Sequence, residues 1–237
     1  MRKGTLYLIP TALGGSPHLS IPPGVQELSC SLRHFVAESA RTTRRYLKEL
    51  NAALDLSQVH IAELNKHTSP SELDALLAPL HSGYDVGLTS EAGLPAIADP
   101  GAAVVARCHA ANIAVVPLSG PSSVVLALIA SGFNGQQFTF HGYLPIDRSA
   151  LVRSLREMEK AVQTTGYTQV FIETPFRNQK LFEAMVQTCA PDTWLTISAN
   201  LTLPDGMCRT QTVRQWKLSP PSLHKLPAVF ALGKPAV

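Results

Sequence analysis

Short apolar runs alternating with helix-like segments constrain this chain more than any other feature. Leu6-Tyr7-Leu8-Ile9 reads as a strand that stops at Pro10, and runs at 35–38, 59–64, 84–89 and 113–117 repeat the pattern. Short runs rich in leucine, valine and isoleucine are typical of strands buried on both faces. Helical patterns lie between them. One covers 24–32 behind Pro22-Pro23, and one covers 41–54 with Leu47, Leu50 and Leu54 on a single face. A third starts on the capping box Ser69-Pro70-Ser71-Glu72 and runs to about 82, and a fourth covers 101–112. This βαβα order predicts a mostly parallel sheet with helices on both faces.

Beyond Leu118 the rhythm changes. Helices are predicted at 121–131, 148–162 and 179–188, and strands at 137–141, 170–173, 194–199 and 228–232. The stretch 200–216 lacks helical periodicity and reads as a hairpin, and 220–227 is a proline-punctuated loop. The expectation is an α/β chain of two α/β domains, 1–118 with a mostly parallel sheet and 119–237 with a mixed one.

The 237 residues are 45% hydrophobic and 16% charged, enough to bury a core and too few charges for a disordered chain. The net charge of +3 permits contact with nucleic acid without demanding it. Cys30, Cys108, Cys189 and Cys208 form no C-x-x-C pair, so free thiols in a reducing cytoplasm are expected, with no structural metal. No apolar run approaches the ~20 residues of a membrane span, and the apolar stretch after Met1 is too short for a signal-peptide core.

The motifs narrow the chemistry. There is no G-x-x-x-x-G-K-[ST] and no G-x-G-x-x-G after the first strand, which argues against P-loop and dinucleotide sites. Gly120-Pro121-Ser122-Ser123-Val124 has valine where a nucleophile elbow needs its second glycine. Thr89-Ser90-Glu91-Ala92-Gly93-Leu94-Pro95-Ala96-Ile97-Ala98-Asp99-Pro100-Gly101 joins a predicted strand to a predicted helix, where open α/β sheets bind ligands. It is longer than mere linkage requires. Within it the plainer role for Asp99 is to cap the next helix, with Pro100 in the first turn. Ser122 and Ser123 stand at another strand-to-helix turn and can cap or bind. Glu173, in Phe171-Ile172-Glu173-Thr174-Pro175-Phe176-Arg177-Asn178, either faces a ligand or pairs with Arg177.

Taken in order, Tyr7-Leu8-Ile9-Pro10-Thr11, Ala37-Glu38-Ser39-Ala40-Arg41, Ser90-Glu91-Ala92-Gly93-Leu94-Pro95, Asp99-Pro100-Gly101, Ser119-Gly120-Pro121-Ser122-Ser123, Gly142-Tyr143-Leu144-Pro145 and Glu173-Thr174-Pro175-Phe176-Arg177 span nearly the whole chain. They resemble the tetrapyrrole methylase superfamily of class III S-adenosylmethionine-dependent methyltransferases, in particular the branch that 2'-O-methylates small-subunit ribosomal RNA. The resemblance implies a homodimer of two-domain subunits that holds S-adenosylmethionine in the cleft between the domains. Position by position it assigns donor contacts to Pro10, Glu91, Ala92, Gly93, Ile97, Ser122, Ser123, Glu173 and Ala199. The chain departs from the branch in three places: Ser39 stands where an acidic pair is usual, Glu91 replaces aspartate, and Leu94 replaces threonine. The segments Asn65-Lys66-His67-Thr68 and Ser131-Gly132-Phe133-Asn134-Gly135-Gln136 are also distinctive.

A ribose hydroxyl acceptor needs a general base, for which Glu38, Glu91, His67 and His141 are candidates. Arg41, Arg44, Arg45 and Lys48 recur at helical spacing and form one basic face, suited to phosphates or to plain solvation. Three acceptor readings stay open: ribosomal RNA or a small-subunit particle, a tetrapyrrole whose carboxylates would meet the same arginines, and no acceptor at all in a donor-binding module.

Overall fold

A computed structural model describes residues 2–65 and 67–235. Lys66, part of one of the distinctive segments, lies outside the described residues, as do Met1, Ala236 and Val237. The chain divides into two compact units, Met1–Ser122 and Ser123–Val237.

The first unit is built on strands β1 (Thr5–Ile9), β2 (His34–Ala37), β3 (His60–Glu63), β4 (Val86–Thr89) and β5 (Ala114–Pro117). They form one all-parallel sheet in the order β3-β2-β4-β1-β5. The period-2 alternation of a strand sorts its side chains between two cores. Leu6 and Leu8 of β1 point into one core, with Leu80, Val104 and Cys108. Tyr7 and Ile9 point into the other, with Val25, Tyr46 and Leu47. Helices α1 (Pro23–Ser31) and α2 (Ala40–Leu50) therefore cover one face. Helices α3 (Pro70–Leu76), α4 (Ala78–His81) and α5 (Gly101–Ala110) cover the other.

The second unit holds β6 (Phe138–Tyr143), β7 (Thr168–Glu173), β8 (Trp194–Ala199), β9 (Met207–Thr212) and β10 (Ala228–Gly233) in the order β6-β7-β10-β8-β9. The β6–β7 pair is parallel and the other pairs are antiparallel, which makes the sheet mixed. Helix α6 (Ser123–Ser131) packs on one face beside Val170 and Val229. Helices α7 (Arg148–Thr165), α8 (Asn178–Thr188) and α9 (Val213–Leu218) pack on the other, around Phe171, Phe230 and Trp216.

Several details differ from the sequence reading. The helix expected over 41–54 stops at Leu50, because the Asn51 side chain accepts the Ala53 N–H at 3.0 Å and offers the backbone a turn in place of another helical bond. The helix expected to reach 82 breaks at Leu77. Pro79 has no N–H and its ring conflicts with the carbonyl four residues earlier, so a second helix starts at Ala78. The Ser69–Glu72 capping box forms as expected. The region 200–216 contains the expected hairpin partner β9 and also α9, which starts on a second capping box, Thr212 with Gln215. Finally, α6 begins at Ser123, two residues after the expected Pro121.

Candidate functional site

In a parallel sheet all carboxyl ends lie at one edge. The chain leaves β1 through α1 toward β2, on one side of the sheet order. It leaves β4 through α5 toward β5, on the other. The two connections cover opposite faces, so neighbouring β1 and β4 form the switch point, where a crevice opens outside the strand ends.

The backbone at this point is tightly specified. Past the end of β1, Thr11 and the Gly93 loop exchange two hydrogen bonds, Thr11 N–H to Gly93 O at 2.9 Å and Gly93 N–H to Thr11 O at 3.1 Å. Gly93 adopts φ +78°, a conformation that favours glycine, and a Cβ there would stand 3.1 Å from Leu13 Cδ2 and 3.4 Å from the Pro121 oxygen. Gly120 is tighter still: a Cβ would lie 2.2 Å from Pro10 Cβ. The Pro10 carbonyl in turn accepts the buried Tyr46 hydroxyl at 3.1 Å. Burial pushes the Tyr46 phenol up to about 12.

The remainder of the Gly93 loop is strained. Ala96 (φ 68°) and Ala98 (φ 61°) are left-handed on either side of Ile97, whose side chain is 43% exposed. Such residues cost about 1–3 kcal/mol each and persist where their surroundings enforce them. Asp99 provides one such restraint, since its Oδ1 accepts the Gly101 N–H at 2.7 Å. Asp99 thus serves the start of α5, but from one residue before the N-cap, which is Pro100. Burial raises its carboxyl above the usual range.

A second carboxylate approaches from β2. Glu38 Oε2 accepts the Glu91 N–H at 3.1 Å. Burial raises the Glu38 carboxyl and the nearby Asp99 and Glu91 charges raise it further, against the lowering effect of the Glu91 N–H. Ser39, which departs from the acidic pair, caps α2 by accepting the Thr42 N–H at 3.2 Å, a role an aspartate fills equally well.

Of the residues singled out by sequence, the first unit therefore brings together Pro10, Glu91, Ala92, Gly93 and Ile97, with Ser122 buried at the end of the Gly120 turn. Ser123 begins α6, in the second unit. Glu173 and Ala199 are the last residues of β7 and β8, and both stand opposite Ala228 of the strand between them, so they share one end of the second sheet. The Glu173 carboxylate is already engaged. It pairs with Arg177 at 2.7 Å and accepts the Thr174 N–H at 2.7 Å, which is the ion-pair alternative the turn spacing suggested. Of the base candidates, His67 is exposed and His141 bonds Gln169 at 2.8 Å, also in the second unit. Among the described residues no group of three histidines, cysteines or carboxylates is placed to hold a metal ion, and no helix is long and apolar enough to cross a membrane.

Sequence reasoning passed over Thr11, Tyr46 and Gly120 as individual residues. Thr11 and Gly120 act through backbone proximity, which a bare sequence does not register. Tyr46 stood beside the apolar face read from Leu47, Leu50 and Leu54, and nothing in the sequence marked its hydroxyl.

No family model matches the chain. It is similar to curated proteins named ribosomal RNA small subunit methyltransferase I. The Synechocystis protein is 31% identical over 202 residues, covering 84% of this chain and 67% of the relative. The Vibrio cholerae protein is 30% identical over 197 residues, covering 83% of this chain and 65% of the relative. The Halalkalibacterium halodurans protein is 33% identical over 184 residues, covering 78% and 60%. The chain thus spans about two thirds of the length of these relatives or slightly less. Identity of 31% over two thirds of the Synechocystis relative places the chain in the ribosomal RNA small subunit methyltransferase I family.

Proposed function

We propose that the chain is a methyltransferase that uses S-adenosylmethionine to methylate a ribose hydroxyl of small-subunit ribosomal RNA. The observation that carries the reading is the convergence of Pro10, the Gly93 loop and the Gly120 turn at the β1–β4 switch point. The residues there fit the donor. Ala92 and the exposed Ile97 offer apolar cover for a purine, and Glu91 offers a carboxylate for its hydroxyl or amino groups. Gly93 contributes by shape alone, because its N–H and carbonyl are both taken by Thr11.

When bound, the donor supplies a methyl on a sulfonium, which leaves as a neutral thioether after in-line displacement. The protein's task is alignment and exclusion of water, which can contribute about 7–11 kcal/mol of the barrier. The hydroxyl must also lose its proton. Glu38 is suited to accept it: the Glu91 N–H orients its carboxylate, and its raised pKa improves it as a base.

The test is a labelled-donor assay on small ribosomal subunits from cells lacking this gene. Methyl incorporation at a ribose is expected, with Glu38→Gln losing about 10²–10⁴-fold in kcat while keeping donor affinity. Donor binding without transfer to the subunit would refute the assignment.

A further inference from the structure

A polar cavity of about 310 Å³ adjoins the switch point within the first unit. One wall is the loop after β1, Thr11 to Gly15. The other is α2, which contributes Thr42, Arg45, Tyr46 and Glu49, and Glu91 and Ala92 of the candidate donor loop complete the lining. Arg45 has a double position. It lines the cavity, and it also belongs to the exposed basic face formed with Arg41, Arg44 and Lys48 on the same helix. Its side chain is 72% exposed and its guanidinium meets Glu49 at 3.8 Å, an exposed pair of little strength that leaves it available for a phosphate.

We propose that this cavity receives the acceptor nucleotide of a single-stranded RNA, with Arg45 on its phosphate and the α2 basic face guiding the adjoining backbone. The proposal rests on the RNA methyltransferase reading. Three features of the cavity support it. Its volume is at the small end of the roughly 300–1,000 Å³ typical of ligand pockets, which suits one nucleotide. Thr42 and Glu49 supply a hydroxyl and a carboxylate that can recognise a sugar or an unpaired base edge, the groups read on splayed-out RNA. Glu91 and Ala92 belong also to the proposed donor loop, so an occupant of the cavity adjoins that loop.

The experiment uses the full chain and a fluorescent single-stranded cytidine-containing ribo-oligonucleotide, read by anisotropy, with donor affinity measured in parallel by calorimetry. Thr42→Trp fills the cavity from an already formed helix, and Arg45→Ala removes the phosphate contact at an exposed position that cannot unfold the protein. Both should weaken oligonucleotide binding about tenfold or more, Arg45→Ala should also flatten its salt dependence, and donor affinity should stay within about twofold. Unchanged RNA affinity in both variants would overturn the proposal, as would a parent chain that does not bind the oligonucleotide. A parent that binds RNA in this cavity but transfers no methyl would leave the pocket standing and refute only the methyltransferase reading.

Discussion

Replacing Gly120 with alanine tests the packing at the switch point most directly. The added Cβ would lie 2.2 Å from Pro10 Cβ and 2.4 Å from Pro10 Cγ, where ordinary contact begins near 3.4 Å. A proline ring cannot rotate away, and the Tyr46 hydroxyl holds the Pro10 carbonyl from the other side. The turn and the end of β1 must therefore separate by about an ångström. Overpacking of this kind costs about 1–3 kcal/mol. At about 4 °C per kcal/mol for a unit of this size, the melting temperature should fall by roughly 4–12 °C. An ångström of misplacement at a reacting centre costs about 10²-fold in rate, so kcat/KM should fall about a hundredfold, or about 2.7 kcal/mol. Gly24→Ala provides the control: the site is open, nothing lies within 4 Å, and the residue is in α1. Alanine there should be neutral or stabilising by up to about 1 kcal/mol. Thermal melts by circular dichroism and labelled-donor kinetics give both quantities. Parental melting and turnover in Gly120→Ala would refute the close approach of the turn to Pro10.

Arg177→Met should destabilise the second unit by about 3–5 kcal/mol in urea unfolding, because it leaves the buried Glu173 carboxylate without its cation. The double change of Arg44 and Arg45 to alanine should lower the magnitude of the RNA-binding salt slope by about 1.4, with donor affinity unchanged in calorimetry. Burial raises Tyr46 and Cys189 to about 12 and Cys108 to about 11. Each group keeps its proton longer folded than unfolded, so stability is complete below the unfolded values of about 8.5–10 and falls as pH rises through the folded ones; urea midpoints from pH 8 to 12 will track it, and Tyr46→Phe should reduce the fall. Tyr46→Phe should itself cost about 1–3 kcal/mol at neutral pH by leaving the buried Pro10 carbonyl unpaired.

The sheets were legible because their strands are short apolar runs flanked by turn residues. The sequence reading placed β8 at the residues it occupies, and β1 within one residue. Helix ends were less legible, since they depend on local competition such as the Asn51 turn, or on backbone exclusion at Pro79. Helix α9 was readable in principle: Thr212 and Gln215 sit at capping-box spacing ahead of the buried Trp216, but the helix has only six residues, too few for a period to stand out. At the candidate site, the glycine-containing loop and the turn could be located from sequence, whereas the pairing of Thr11 with Gly93 and the approach of Glu38 to Glu91 could not. Those contacts join positions 82 and 53 residues apart, and strand order alone brings them together.

The central place of β10 in the second sheet has a consequence for biosynthesis. The first sheet has all its strands once Pro117 is made, whereas the second lacks its middle strand until Gly233. Strand β8 is complete at Ala199, and the 34 residues from there to 233 take roughly 2–7 s at about 5–20 residues per second. For that interval a translating ribosome carries a first unit able to fold, followed by β7 and β8 strands whose facing edges have no partner. Those edges are the segment of this chain most in need of protection from other nascent chains.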